Sequence, residues 1–317
     1  MNKEEVMNSV ELKKRFAEDY GIPIAVFENP YFGQRMETLE ILYKAAEKFD
    51  QFCDYLSKFK NEDDFFAEYD SIKRRMVEYI KEKKEYKDFC GERFNPVGDY
   101  DCEPNWLYSD DNDSGTFISI NMNKADFASM ARYSRHMFAG SKTWEEFVAT
   151  FTDSEYMKGA KNIRRDVFSA CNRKQQKKYE KYLTSILFSH MRNFLPDGTL
   201  LVLADNDEII ITVANPNMPC LHNLGISMNK LKEIVQSCTS GIGNMYRVNL
   251  FDLHKAGEGW IKSYNCGVTE LIGYDKNTVN QVVKHYFNMP ISEDDLVFEY
   301  NDKLAKFLKE IDNPWKE

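Results

Sequence analysis

A chain of 317 residues with 43% hydrophobic and 29% charged residues has the apolar mass for a packed core, which excludes a disordered chain. No stretch approaches the ~18 consecutive apolar residues of a membrane span, and the start MNKEEVMNSVELKKRF lacks an apolar signal core, so a cytoplasmic protein without a membrane partner is expected. The net charge of −9 excludes indiscriminate binding of nucleic acid over the whole surface, so any such site must be local.

Residues 30–59 read as one long helix. Pro30 suits its first position, and Met36, Leu39, Leu42, Tyr43, Ala46, Phe49 and Phe52 recur at three-to-four spacing. A second helix follows from the cap Asn61 to about residue 88, with Glu62, Asp63 and Asp64 in its first turn and an apolar stripe of Phe65, Tyr69, Ile72, Met76, Tyr79 and Ile80. Together they predict an antiparallel helical hairpin over 30–88. Between Arg93 and Gly115 the periodicity disappears, and six acids (Asp99, Asp101, Glu103, Asp110, Asp111, Asp113) stand without a base. This acidic loop, 96–115, divides a helical N-terminal region, 1–95, from a second domain, 116–317.

The second part opens on Thr116–Asn121, an alternating β-rich strand, and turns helical from Lys124 through Phe127, Met130 and Phe138. Thr143-Trp-Glu-Glu has the form of a capping box. Residues 157–182 then carry nine bases against two acids, Asp166 and Glu180, and read as a basic helix. Tyr179, Tyr182, Ile186 and His190 within and after it have core spacing. Residues 199–214, TLLVLADNDEIIITVA, form a hairpin about Asp205-Asn206-Asp207. Strands follow at Tyr246–Leu253 and Gly259–Tyr264, then helices at about 277–287 and 301–311. The class is α+β. Seven cysteines and five histidines are dispersed without C-x-x-C or H-E-x-x-H spacing, which suggests neither a disulfide framework nor a zinc site.

The chemistry rests on order. A strand ending in polar residues, a basic segment and a hairpin with carboxylates at its tip are the parts of a polymerase palm. Nucleotidyl transfer by two metals needs carboxylates from adjacent strands to hold a pair of Mg2+ or Mn2+ ions. Asp205, Asp207, Glu208 and Asp126 are the candidate catalytic residues, with Asp205 and Asp207 as metal ligands. Arg164, Arg165, Lys174, Lys177, Lys178 and Lys262 are the candidates for binding phosphate or nucleic acid, DNA or RNA. Each feature has a plainer reading beside it: Asp205-Asn206-Asp207 as a tight turn, the basic segment as a solvated face, Lys262 and Tyr264 as strand positions.

Ile118-Ser-Ile-Asn-Met-Asn-Lys-Ala-Asp-Phe127, Asn162-Ile-Arg-Arg-Asp-Val-Phe168, Asn172-Arg-Lys-Gln-Gln176 and Ala204-Asp-Asn-Asp-Glu-Ile-Ile-Ile211 resemble a protein family of large DNA viruses and large phages. More remotely, the first and last of these blocks resemble the two metal-binding palm motifs of family B DNA polymerases. Gly259-Trp-Ile-Lys262-Ser-Tyr264 with Glu270-Leu-Ile-Gly273 resembles the lysine-tyrosine segment that follows them. The resemblance implies a palm-like antiparallel sheet with flanking helices and metal-dependent nucleotidyl transfer. Where that family's first strand ends in aspartate, this chain has Asn121 and Asn123, uncharged and weaker ligands for a hard cation. The departure supports an alternative: a non-catalytic protein that binds nucleic acid or a partner protein through the basic helix 157–182 and the helical hairpin 30–88.

Overall fold

The computed structural model describes residues 1–98, 106–213, 227–242, 245–265, 267, 269–301 and 303–313. It opens on two helices without a sequence-based expectation, α1 (Lys3–Asn8) and α2 (Val10–Tyr20), capped by the side chains of Asn2 and Ser9. The expected long helix over 30–59 is two, α3 (Tyr31–Tyr43) and α4 (Ala45–Leu56). Between them Lys44 is left-handed at φ 52°, and the Glu40 carboxylate accepts the Ala46 N–H at 2.6 Å, capping the second helix from the first. The break moves the buried position from the expected Ala46 to Ala45. Pro30, expected as the first helical residue, is the cap. The second expected helix is also divided, at the extended Lys83, into α5 (Glu62–Glu82) and α6 (Lys84–Gly91).

After β1 (Gly115–Met122) come α7 (Ala125–Tyr133), α8 (Trp144–Ala149), α9 (Glu155–Gly159), α10 (Lys161–Ser169) and α11 (Arg173–Met191). The single basic helix expected at 157–182 is therefore three pieces. Ala160 is extended, and the Asn172 side chain caps α11 by accepting the Gln175 N–H at 3.1 Å. At the expected capping box Thr143 accepts the Glu146 N–H, while the Glu146 carboxylate takes the N–H of Lys142 instead.

The hairpin is β2 (Leu200–Ala204) and β3 (Glu208–Thr212), followed by α12 (Met228–Ser240), β4 (Tyr246–Ala256), β5 (Gly259–Tyr264) and β6 (Thr269–Ile272). These strands make one antiparallel sheet in the order β2-β3-β1-β4-β5-β6. The helical crossover from β1 to β2 spans β3, and that from β3 to β4 spans β1, so two split βαβ units interlock. After α13 (Val279–Tyr286), the helix expected at 301–311 is instead the ribbon of β7 (Val297–Tyr300) and β8 (Lys303–Lys306). Asn301, left-handed at φ 50°, turns the chain there, and Phe298 stacks on Phe307 with centroids 4.3 Å apart.

The alternation of the strands gives the sheet two unlike faces. On one, Ile118, Ile120, Ile209 and Ile211 pack beneath Leu187 and Phe188 of α11 and Leu231 and Val235 of α12. The other is covered over part of its area by two 3-10 turns, Trp106–Tyr108 and Asp110–Asn112. Leu107 of this cover packs with Phe117, Phe251, Leu253 and Trp260. Asn112 is also so close to the sheet that a Cβ on Gly115 would stand 2.9 Å from its carbonyl oxygen. The described part of the acidic loop is thus seated on the sheet, with Lys255 bonded to both Asp113 and Asp110. Asp99, Asp101 and Glu103 lie outside the described residues. The largest core is continuous from Val6 through α2–α10 to Val283, drawing on both sides of residues 96–115.

Candidate functional site

The turn Asp205-Asn206-Asp207 is seated rather than free. The Asp205 N–H donates to the Glu208 carbonyl at 2.9 Å, the Asp205 carboxylate accepts the Asn206 N–H at 2.7 Å, and the Asp207 carbonyl accepts the Met122 N–H at 2.8 Å. Thr184 of α11 donates its hydroxyl to the Asn206 carbonyl at 2.7 Å, so the tip rests on the helix. Asp205 itself is exposed, whereas Asp207 and Glu208 are half-buried.

Pairing places Glu208 opposite Asn121 and Asn121 opposite Arg247, one row across β3, β1 and β4 on the face away from α11. In the next row of that face stand Ser119 and Asn249, and the Ser119 hydroxyl donates to Glu208 at 2.6 Å. The segment 106–112 packs over the opposite end of this face, and within the polar rows Ser119 is itself buried, at 2% exposure. Lys262 lies at the covered end. It is 5% exposed, with its ammonium 5.1 Å from the Phe251 ring centroid and 5.6 Å from that of Tyr108. Beside it, Tyr264 donates to Glu270 at 3.1 Å, and burial pushes its phenol up, reinforced by Glu270 and Glu208.

The other candidates divide. Asp126, at the start of α7, ion-pairs with Arg164 of α10 at 2.8 Å, so a candidate catalytic carboxylate and a candidate phosphate ligand hold each other. The neighbouring Lys124 pairs with Glu145. Arg165, Arg173, Lys174, Lys178 and Lys181 are exposed. Lys177 turns inward to the carboxylates of Glu180, at 2.9 Å, and Asp207, at 3.9 Å. Among the described residues no group of three or more His, Cys, Asp or Glu side chains is placed to hold a metal ion.

Glu180 is the residue that sequence reasoning passed over. Its side chain is 0% exposed, and the Gln176 amide donates to it at 3.0 Å. Burial raises its pKa, Lys177 opposes that shift, and Asp207 adds to it. The local signal was the spacing: Gln176, Lys177, Glu180 and Thr184 fall on one helical face. Of the expected aromatic stripe, Tyr179 is buried and Tyr182 half-buried, but Ile186 and His190 are exposed, because α11 packs through Thr184, Leu187, Phe188 and Met191.

Comparison of the chain with known protein families, with characterised proteins and with solved structures gave no match. No helix among the described residues is long and apolar enough to cross a membrane.

Proposed function

We propose that this chain is a nucleic-acid-associated protein of viral or phage type with a polymerase-palm-like core, and that it holds the phosphate backbone on the outer face of α11. The observation that carries the reading is the grouping of Arg173, Lys174, Lys178 and Lys181, all exposed along the first turns of a 19-residue helix in an otherwise acidic chain. The inner face of that helix is fixed by the sheet and by the turn at Asn206. The cations are therefore displayed on a rigid element, and neutralising phosphates with lysine and arginine is what drives such binding. Fluorescence anisotropy with single-stranded DNA and RNA oligonucleotides tests it. Lys174→Glu/Lys178→Glu should weaken binding by roughly tenfold or more and flatten the salt dependence by about 2 in log-log slope. Unchanged affinity would remove the reading.

The second reading is metal-dependent nucleotidyl transfer with Mg2+ or Mn2+ at Asp205 and Asp207. Its support is the interlocked split βαβ topology, with the hairpin tip beside the end of β1. Against it stand Asn121 in place of a carboxylate and the engagement of Asp126 and Asp207 with cationic side chains. Primer extension with either metal, in the wild type and in Asp205→Ala/Asp207→Ala, decides between an enzyme and a binding protein that keeps the scaffold.

A further inference from the structure

The inner face of α11 carries an incomplete charge balance. Glu180 is wholly buried, Asp207 approaches from the hairpin tip, and Lys177 is the cation that ion-pairs with both. Arg173 acts on Glu180 from farther off, on the exposed side of the helix. One Glu180 oxygen, Oε2, is met by the Lys177 ammonium at 2.9 Å and the other, Oε1, by the Gln176 amide, so the carboxylate depends on a single cation that it shares with Asp207. A second observation is independent of the acids. Gln176 is 0% exposed and bonds Glu180 through its amide nitrogen, and the buried oxygen of the same carboxamide, Oε1, has no partner among the described residues. A buried amide oxygen is costly when unmet, and native folds seldom leave one so without a ligand, water or ion to meet it.

We infer that Glu180, Asp207 and the Gln176 amide oxygen form a binding site for one hard divalent cation, Mg2+ or Mn2+, whose place is taken in the ion-free protein by the Lys177 ammonium. Two carboxylates, one neutral oxygen and waters from the open side are the donor set that Mg2+ accepts, since it keeps several waters and takes only one or two carboxylates. Access is present, because the side chains of Lys177 and Asp207 are about one-third exposed, at 34% and 32%. Lys177 has a flexible four-carbon stem and sits one turn from Lys174 and Lys181, so the displaced ammonium joins the exposed basic face. Cation binding then adds one positive charge where the phosphate backbone is proposed to lie. This coupling rests on the nucleic-acid reading above; the cation site itself does not.

The test is Mn2+ titration of the full-length protein, followed by the electron paramagnetic resonance of free Mn2+ and by water proton relaxation. The wild type should bind one ion. Glu180→Gln and Asp207→Asn should each weaken binding at least tenfold, and Asp63→Asn, at an exposed acid in the first turn of α5, should leave it unchanged. Lys177→Met should tighten it several-fold, a gain that loss of fold cannot mimic; circular dichroism controls for the other variants. Absence of Mn2+ binding in both the wild type and Lys177→Met, or equal binding in Glu180→Gln, overturns the site. Oligonucleotide anisotropy with and without Mn2+ separates the two proposals. A site that binds Mn2+ in a protein with no oligonucleotide affinity refutes the nucleic-acid reading alone. Oligonucleotide binding that Mn2+ does not tighten, with no Mn2+ bound, refutes the site alone.

Discussion

Two buried carboxylates in this molecule meet opposite fates. Asp295, 2% exposed, accepts from Asn280 at 2.7 Å, from Lys284 at 2.7 Å, and from the N–H and hydroxyl of Ser292 at 2.6 and 2.8 Å, with Arg35 at 3.3 Å. Burial alone would raise its pKa, but Lys284 and the Ser292 donors outweigh burial and hold the group below the usual carboxylate range. Glu180, as deeply buried, has one amide donor and a shared lysine, and burial wins. The first group is a finished structural joint, tying α3 to α13 and the approach to the C-terminal ribbon. The second lacks the donors that would finish it, which is where a site is sought.

The largest effect expected is at Asp295. Asp295→Ala leaves Arg35 buried without its carboxylate, and urea denaturation should show a loss of about 3–5 kcal/mol. Acid gives the second measure. A carboxyl held low in the fold contributes stability that is complete above its unfolded pKa near 3.9 and is lost as pH falls through the folded value. The wild-type urea midpoint should therefore fall on acidification below about pH 4, and Asp295→Asn should flatten that limb. Glu180→Gln, by contrast, keeps an acceptor for Gln176 and removes an under-partnered charge; its cost should stay under about 1 kcal/mol. A loss as large as that of Asp295→Ala would erase the distinction between the two carboxylates. At the seat of the turn, Thr184→Val should cost about 1 kcal/mol by deleting one hydrogen bond to Asn206.

What was legible in the sequence was local. The hairpin at 199–214 announces itself because Asp and Asn at its tip bond to their own backbone, and the structure uses Asp205 in that way. β1, β4 and β5 follow from alternation, and α+β from the sum of elements. The break at Lys44 was hidden because apolar spacing continues across it, while its cause is a side chain reaching six residues ahead from Glu40 to Ala46. The C-terminal ribbon was hidden because Asn301 serves equally as a helix cap and as a turn. At the candidate site, sequence order brought Asp207 and Asn121 to neighbouring backbones. It could not show that Asp126 faces Arg164, or that Glu180, 27 positions before Asp207, meets it through Lys177. Charge counted along a chain does not reveal which side of a helix the charge occupies.

The cover formed by Trp106–Asn112 also sets a scale. It packs on the Phe117, Phe251 and Trp260 end of the sheet, and beyond it on the same face two polar rows cross β3, β1 and β4, from Glu208, Asn121 and Arg247 to Ser119 and Asn249, with Ser119 2% exposed. Strands about 4.8 Å apart and same-face rows about 6.8 Å apart make this polar patch roughly 10 by 7 Å. Glu208 and Arg247 thus stand on opposite sides of Asn121, about two strand spacings apart.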